Sequence, residues 1–504
     1  MICPAVLIAQ DEEDEDIFDL SAFEVSVDST RGYLASNSLS ATGFNAENFK
    51  IPLGISVATE AFLDDIAATD LSDTTYYLAG VTTGEWGPGD RQGANYHIRG
   101  FQAAWQNRNG LRVYNISGTD NVARFEVLKG PSSVFYGEAA PGGIVNYVTK
   151  RASFVPNHSV TLETNSNGRL KGTLESEGPL KVLGKDDWLA YRFMVSYEDD
   201  RTWRDFEYRN KLFYFGGLRL RPLKGLDVFI EYEKTREDYN YGRNVPMGNR
   251  DYMVDWADPP QELLDYILTV DRRATPENVR DRAQLRWLDI VAWQTDNKAV
   301  YGVMPPKYVD FMPEATPYGH KWNIHGPGGR VDMDIEVKTI DIQYRALDWF
   351  HLRAAVTEWD RIMTSLESLR YHVRGDGSID VEPVMGFGFG LLNLTRQTNL
   401  EALLSGDFWG TSHNLVLGFG QFEQEFHPLT YRFKPFSEQP EWFRGAWDPY
   451  DEPYFDLRDT LDDPNAYKSS GSRGRDRNYY VSWNGQWFDG KLFIHSSSPS
   501  NGGM

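Results

Sequence analysis

The chain has 504 residues, with 51 Lys and Arg against 73 Asp and Glu, a formal net charge of −22, and one cysteine. That acidity excludes a nucleic-acid partner, which needs cations to replace the counterions of phosphate. The lone Cys3 excludes a disulfide framework or a thiolate metal cluster, and the length asks for at least two domains. No run of 18 apolar residues occurs, so a membrane-spanning helix is not expected. Spanning β-strands are short and alternating, and they fit a mean hydropathy of −0.51 with 14 % aromatic residues.

In chain order, residues 1–10 (MICPAVLIAQ) read as the end of a secretory leader with a small-residue exit at Ala9. The basic start of such a leader is missing, so its true beginning is expected upstream. A frayed terminus is the alternative. Residues 11–16 (DEEDED) form a solvated acidic spacer, and Ile17–Val27 (IFDLSAFEVSV) follows as an extended apolar segment, within an N-terminal stretch reaching residue 44. Residues 45–153 read as a compact α+β domain. It holds a strand at Ile55–Ala58, an amphipathic helix at Glu60–Ala67, Gly-rich loops, and short strands at Tyr96–Arg99 and Phe125–Lys129.

From residue 154 to 504 the text turns to alternating segments parted by turns. Tyr191–Tyr197 is one such segment. Hairpins are expected at Leu212–Arg221 with Leu226–Glu233, at Ile340–Leu347 with Phe350–Trp359, at Leu400–Phe408 with Asn414–Phe422, and at Tyr479–Trp487 with Lys491–Ile494. Tight turns on one side and long connections on the other, near 241–330 and 428–475, are the layout of an outer-membrane barrel. The first connection carries helical text at Glu262–Val270 and Leu285–Trp293. About eleven strands can be counted, the last ending at Ile494 before a polar tail. So either the barrel is truncated or the chain is not a barrel, because open edges are not tolerated in lipid.

Two stretches bear on that choice. Asn95–Phe101 (NYHIRGF) and Phe125–Lys150 (FEVLKGPSSVFYGEAAPGGIVNYVTK) resemble the plug of TonB-dependent outer-membrane receptors, and Ile51–Leu71 is similar to that family's opening strand and helix. The resemblance implies a mostly β fold: a transmembrane antiparallel β-barrel of about 22 strands, partial here, with an N-terminal α+β plug in its lumen. It implies a place in the outer membrane of a Gram-negative cell, among lipid, and transport without a catalytic step or a resident cofactor.

The plug motif includes turn residues Gly100, Gly130, Pro131, Gly137, Pro141, Gly142, Gly143 and Asn146. Pro131 lacks an N–H and ends its strand; the glycines permit positive φ or close backbone contact. Arg99, Arg124 and Glu126 lie among apolar neighbours, where unpaired charge is costly. They are expected either to bond plug to barrel or to brace the plug itself. A plug needs polar contacts with the wall, because a greasy one could not be displaced.

The resemblance also implies ligand contacts on apical plug loops. The candidates are Trp86, Arg91 and Gln92 in Gly84–Ala94, and Trp105, Gln106, Asn107, Arg108 and Tyr114 in Gln102–Ile116. Aromatic faces and guanidinium groups suit an anionic chelate, and they also suit sugars. Ile17, Phe18, Leu20, Phe23 and Val25 occupy the place of the family's energy-coupling box, which implies a periplasmic TonB-type partner that adds as a strand. A plain linker is the alternative. The implied function is import of a scarce ligand, most simply a ferric siderophore. Cobalamin or oligosaccharide import stands as the alternative within the family, and a secreted glycan-binding β protein outside it. No catalytic constellation emerges. His320 and His325 are either a metal pair or loop histidines.

Overall fold

The computed structural model describes residues 30–38, 46–48, 54–83, 96–103, 106–113, 118–130, 141–182, 184–185, 187–240, 261–270, 274–279, 330–368, 372–373, 379–380, 386–408, 411–431, 467–469, 471–487 and 492–501. No helix among them is long and apolar enough to cross a membrane. The chain forms a small inner domain and a large antiparallel wall.

The inner domain is built on a five-stranded sheet in the order Leu111–Val113, Gln106–Arg108, Gly143–Thr149, Val122–Lys129, Gly54–Thr59. Every residue of Gly143–Thr149 is buried, and so are most of Val122–Lys129, as expected of strands covered on both faces. Phe125 sits between the rings of Tyr96 and Tyr147, with centroids 5.4 Å away on either side. The helix Glu60–Asp65 starts where the Thr59 hydroxyl accepts from the Phe62 amide, satisfying one of the helix's free donors. A 3-10 turn, Leu71–Tyr76, opens with a reciprocal Asp70–Asp73 capping box. The glycine pair 142–143 is a packing requirement. A Cβ on Gly142 would overlap the Ile98 carbonyl, and one on Gly143, at φ +133, would overlap the Leu128 carbonyl.

The wall runs in sequence order through Asn157–Thr164, Leu170–Pro179, Leu189–Arg201, Tyr208–Leu223, Leu226–Asn240, Arg330–Leu347, Phe350–Ser368, Gly386–Phe408, Thr411–Tyr431, Ser472–Trp487 and Leu492–Asn501. A short strand, Tyr467–Ser469, adds to Thr411–Tyr431 off this path. Among the described residues the first and last strands of the path are not paired with each other.

Tight turns close three hairpins at one end, at Leu223–Leu226, Leu347–Phe350 and Phe408–Thr411. From there the strands run far beyond the lengths the alternation suggests. Phe350–Ser368 continues nine residues past Trp359, and Gly386–Phe408 begins fourteen before Leu400. Strand pairing also reaches Tyr431 and resumes at Tyr467, inside the stretch read as a 428–475 excursion. His495–Asn501, read as a polar tail, is strand, since it completes a backbone ladder with Asn478–Asn484. Glu262–Val270 is helical as part of Gln261–Val270, while Leu285–Trp293, His320 and His325 lie outside the described residues.

The faces of the wall are inverted relative to a water-soluble sheet. Next to the tight turns, Thr339, Asp341 and Gln343 are 3 %, 0 % and 1 % exposed, whereas Ile340, Ile342 and Tyr344 on the other face are 44 %, 39 % and 38 % exposed. The same belt continues sideways through Leu218, Ile230, Leu352, Leu400, Leu417 and Val481. Polar inside and apolar outside is the pattern of a sheet whose outer solvent is lipid. Farther from the turns the outer face becomes charged, with Arg236 to Asp334 at 3.3 Å and Lys338 to Glu336 at 2.7 Å. There the inner face gains an apolar cluster of Tyr239, Val331, Met333, Ile335, Val337, Trp359 and Met363.

Candidate functional site

The inner domain is seated in the wall through charges. Its hairpin Gln106–Val113 turns at Asn109-Gly110, with φ of +52° and +79°. The turn is clasped from within the domain: Asn109 Nδ2 donates to Thr149 Oγ1 at 2.8 Å, and the Gly110 amide donates to Asn146 Oδ1 at 3.0 Å. The Tyr147 hydroxyl donates to Gln106 Oε1 at 2.6 Å. A rigid hairpin therefore carries its charged side chains to fixed places on the wall.

Arg108 reaches Glu233 at 3.0 Å, Glu231 at 3.4 Å and Thr339 Oγ1 at 3.2 Å. Arg151, where the chain leaves the inner domain, reaches Asp341 at 2.6 Å and lies over the Phe229 ring at 4.2 Å. The wall replies with Arg353, which binds Asp341 at 3.1 Å and Glu401 at 3.3 Å and donates to the Asn109 carbonyl at 3.0 Å. The Tyr480 hydroxyl donates to Glu401. On the other flank of the hairpin, Arg112 lies 3.7 Å from Asp476 and over Phe422 at 4.2 Å.

The opposite polarity holds at Asp120. This buried carboxylate lies 3.1 Å from Lys171, pairs with Lys211, and accepts from Ser196 Oγ at 2.8 Å. Burial pushes its carboxyl up, but the Lys211 and Lys171 ammoniums and the two hydrogen bonds outweigh that, holding it well below the usual carboxylate range. Strands between 170 and 223 thus offer cations to an inner-domain acid, while those between 226 and 347 offer acids to inner-domain arginines. A rotated domain would bring like charges together, so the pattern selects one orientation. Val113 completes the seat by joining the apolar cluster of the wall.

The residues singled out from sequence fall in several places. Gln106, Asn107 and Arg108 are buried in the hairpin, and Arg108 faces wall carboxylates. Trp86, Arg91, Gln92, Trp105 and Tyr114 lie outside the described residues, as do Pro131, Gly137 and Ile17, Phe18, Leu20, Phe23 and Val25. Arg124 donates to the Asn37 carbonyl at 3.1 Å and stands 4.0 Å from Glu126, which accepts from Asn146 Nδ2 at 3.4 Å. Those bonds brace the inner domain itself. Burial pulls the Arg124 guanidinium down, against the pull of Glu126. Arg99 sits exposed in a turn at φ +53, followed by Gly100 at +83, with its amide donating to Gly80. Gly130 has φ +124, and exposed Pro141 precedes the packed glycine pair.

Sequence reasoning missed Arg112, Asp120 and Arg151, and the wall partners Lys171, Lys211, Glu231, Glu233, Asp341 and Arg353. A signal existed in the wall: Glu231 and Glu233, two apart in an apolar strand, share the inward parity of Phe229. Among the described residues no group of three or more His, Cys, Asp or Glu is arranged to hold a metal ion.

Comparisons with known proteins agree with this architecture. Residues 47–144 match the family model described as the TonB-dependent Receptor Plug Domain. Among curated proteins, the Metal-pseudopaline receptor CntO of Pseudomonas aeruginosa (strain UCBPP-PA14) is 29 % identical over 229 residues, 43 % of this chain and 31 % of that protein. The Ferrioxamine receptor of Yersinia enterocolitica is 31 % identical over 149 residues, 27 % of this chain and 21 % of its own. The chain thus spans less than a third of the length of these relatives. Among solved structures, the ferripyoverdine receptor of the outer membrane of Pseudomonas aeruginosa superposes with a TM-score of 0.64 at 14 % identity, covering 93 % of this chain and 54 % of that one. BauA, the ferric preacinetobactin receptor from Acinetobacter baumannii, gives 0.63 at 15 % identity, with 93 % and 64 % covered. At these identities the likeness is one of fold.

Proposed function

We propose that this chain, whose residues 47–144 match the TonB-dependent receptor plug model and whose inner domain is seated against a β wall with an apolar outer belt, serves the import of a scarce ferric siderophore across the outer membrane of a Gram-negative cell. The observation that carries this reading is the seat itself. An inner domain held by Arg108, Arg151 and Asp120 against opposite charges is fixed in one orientation, yet its bonds can be exchanged for water when the domain is pulled. A TonB-type periplasmic protein, energised by the inner-membrane proton gradient, pairs with residues 17–27 and pulls on the chain leading to the edge strand Gly54–Thr59. The ligand rests on the external loops of the plug, around Trp86, Arg91, Gln92, Trp105 and Tyr114, and passes inward without covalent change. The named ligands of the relatives, ferrioxamine and ferripyoverdine among them, support an iron chelate as cargo.

Uptake tests this directly. In a strain lacking its other siderophore receptors, the protein should restore accumulation of radioactive iron supplied as one defined siderophore, and a TonB deletion should abolish it. Restoration of cobalamin or oligosaccharide uptake, with none of iron, would replace the siderophore by those ligands.

A further inference from the structure

The chain leaves the inner domain through residues 150–156 and enters the wall at Asn157. Two side chains of that crossing interleave with three from the wall hairpin of Tyr208–Leu223 and Leu226–Asn240, beside its tight turn. Arg151 lies over the Phe229 ring at 4.2 Å, and Arg219 lies against the same ring at 4.8 Å. Arg219 also stands 6.0 Å from the Phe154 ring, which Arg221 covers at 4.6 Å. The order is therefore Arg151, Phe229, Arg219, Phe154, Arg221, and each ring meets two guanidiniums. Carboxylates hold every cation of the stack. Asp341 takes Arg151 at 2.6 Å, with Glu231 at 3.7 Å, and Asp227 takes Arg219 at 2.7 Å and Arg221 at 2.8 Å.

This stack responds to water differently from the seat. Arg108 and Asp120 are held by ion pairs and hydrogen bonds. Water entering between domain and wall hydrates both partners of such a pair, and a wetted pair retains little of its strength. Drawing Phe154 away from Arg219 and Arg221 instead puts apolar surface into water, and a guanidinium on a ring stays attractive when exposed. The wall half of the stack is also complete without the inner domain. Arg219, Arg221, Asp227 and Phe229 stand on one hairpin, with Asp227 bound to both arginines, so they keep their places when the domain moves. The crossing from Arg151 to Pro156 would span about 20 Å if extended. Pinned at Arg151 and Phe154, it allows the domain no swing of that length.

We propose that Arg151 and Phe154, stacked with Phe229, Arg219 and Arg221, form a retained clamp. When the inner domain leaves its seat, this C-terminal end stays docked on the wall and is the pivot on which the domain returns. This role presupposes the displaceable inner domain proposed above, but its test needs neither a siderophore nor a TonB-type protein, so its failure leaves the import reading standing.

The test uses the full chain in neutral detergent, with Cys3→Ser and one reporter cysteine at a time. Val113→Cys reports on the seat and Ala152→Cys on the crossing, both at buried positions. Urea is raised stepwise while a maleimide labels whichever thiol it reaches. At the concentration that half-labels Val113→Cys, Ala152→Cys should react at least tenfold more slowly. Adding Phe154→Ala should remove that gap and Arg221→Gln should narrow it, whereas Phe154→Trp, which keeps a face for both guanidiniums, should preserve it. Where a reporter variant does not fold, deuterium uptake by residues 106–113 and 150–157, with and without Phe154→Ala, reads the same order. One midpoint for both segments in the chain with an intact clamp, or a gap that survives Phe154→Ala, overturns the proposal.

Discussion

At the scale of single residues, buried charge governs the seat. Asp120 faces two buried lysines, so Asp120→Asn leaves both ammoniums against a neutral amide. Breaking one partner of a buried ionic cluster costs about 3–5 kcal/mol. The expected outcome is an inner domain that is cleaved by protease, or unfolds in urea, well before the wall does. Wild-type resistance in the variant would show that Asp120 does not hold the seat. The pH dependence follows from the sign of the shift. The folded-state Asp120 carboxyl lies below its unfolded value, so its contribution is complete above about pH 4 and is lost only as pH falls further. Protease resistance of the inner domain should accordingly show no Asp120-dependent change between about pH 5 and 8. A wild-type transition within that window that is absent from Asp120→Asn would refute the assignment.

Gly143 is a residue-scale case of a different kind. Its motif was visible as PGG, but the reason for it, contact with the Leu128 carbonyl, exists only once the two strands are paired. Gly143→Val should abolish folding of the inner domain, read as loss of its protease-resistant fragment.

At the scale of elements, the hairpins were legible and their lengths were not. Tight turns announce themselves through Pro222–Gly225 and Asp348-Trp349, and alternation marks the half of each strand that lies in lipid. Beyond that half, Val331, Met333, Ile335 and Val337 face inward while Asp332, Asp334, Glu336 and Lys338 face outward, reversing the polarity of the lower half. A reader expecting an apolar face to point to lipid sees the strand end there. This reversal makes a prediction. Ile342→Lys, in the apolar belt, should lower the stability of the reconstituted protein in vesicles by about 2–4 kcal/mol, whereas Lys338→Ile, above it, should change it little. Equal effects of the two substitutions would refute this membrane boundary.

At the scale of the whole molecule, coupling and binding should separate. Deletion of residues 17–27 removes the proposed handle for the periplasmic partner and leaves the external loops intact. Energised uptake should fall to the level of a TonB deletion, while equilibrium binding of the same labelled siderophore to intact cells is retained. Uptake at the wild-type rate would make the segment a plain linker. Loss of binding as well would mean that the segment supports the plug's shape.

By itself the sequence determined the order of parts, a glycine-marked inner domain followed by antiparallel hairpins, because turns and alternation are local and are written in consecutive residues. It also led to the expectation that charged residues inside apolar strands either bond that domain to the wall or brace the domain itself. Which charges meet was decided only by the tertiary structure. Arg108 and Glu231 are 123 positions apart, and Arg353 and Asn109 are 244 apart. Arg108, expected among the ligand contacts, is drawn to the wall by carboxylates that no local pattern connects to it, because pairing across a lumen depends on strand register and parity summed over the whole sheet.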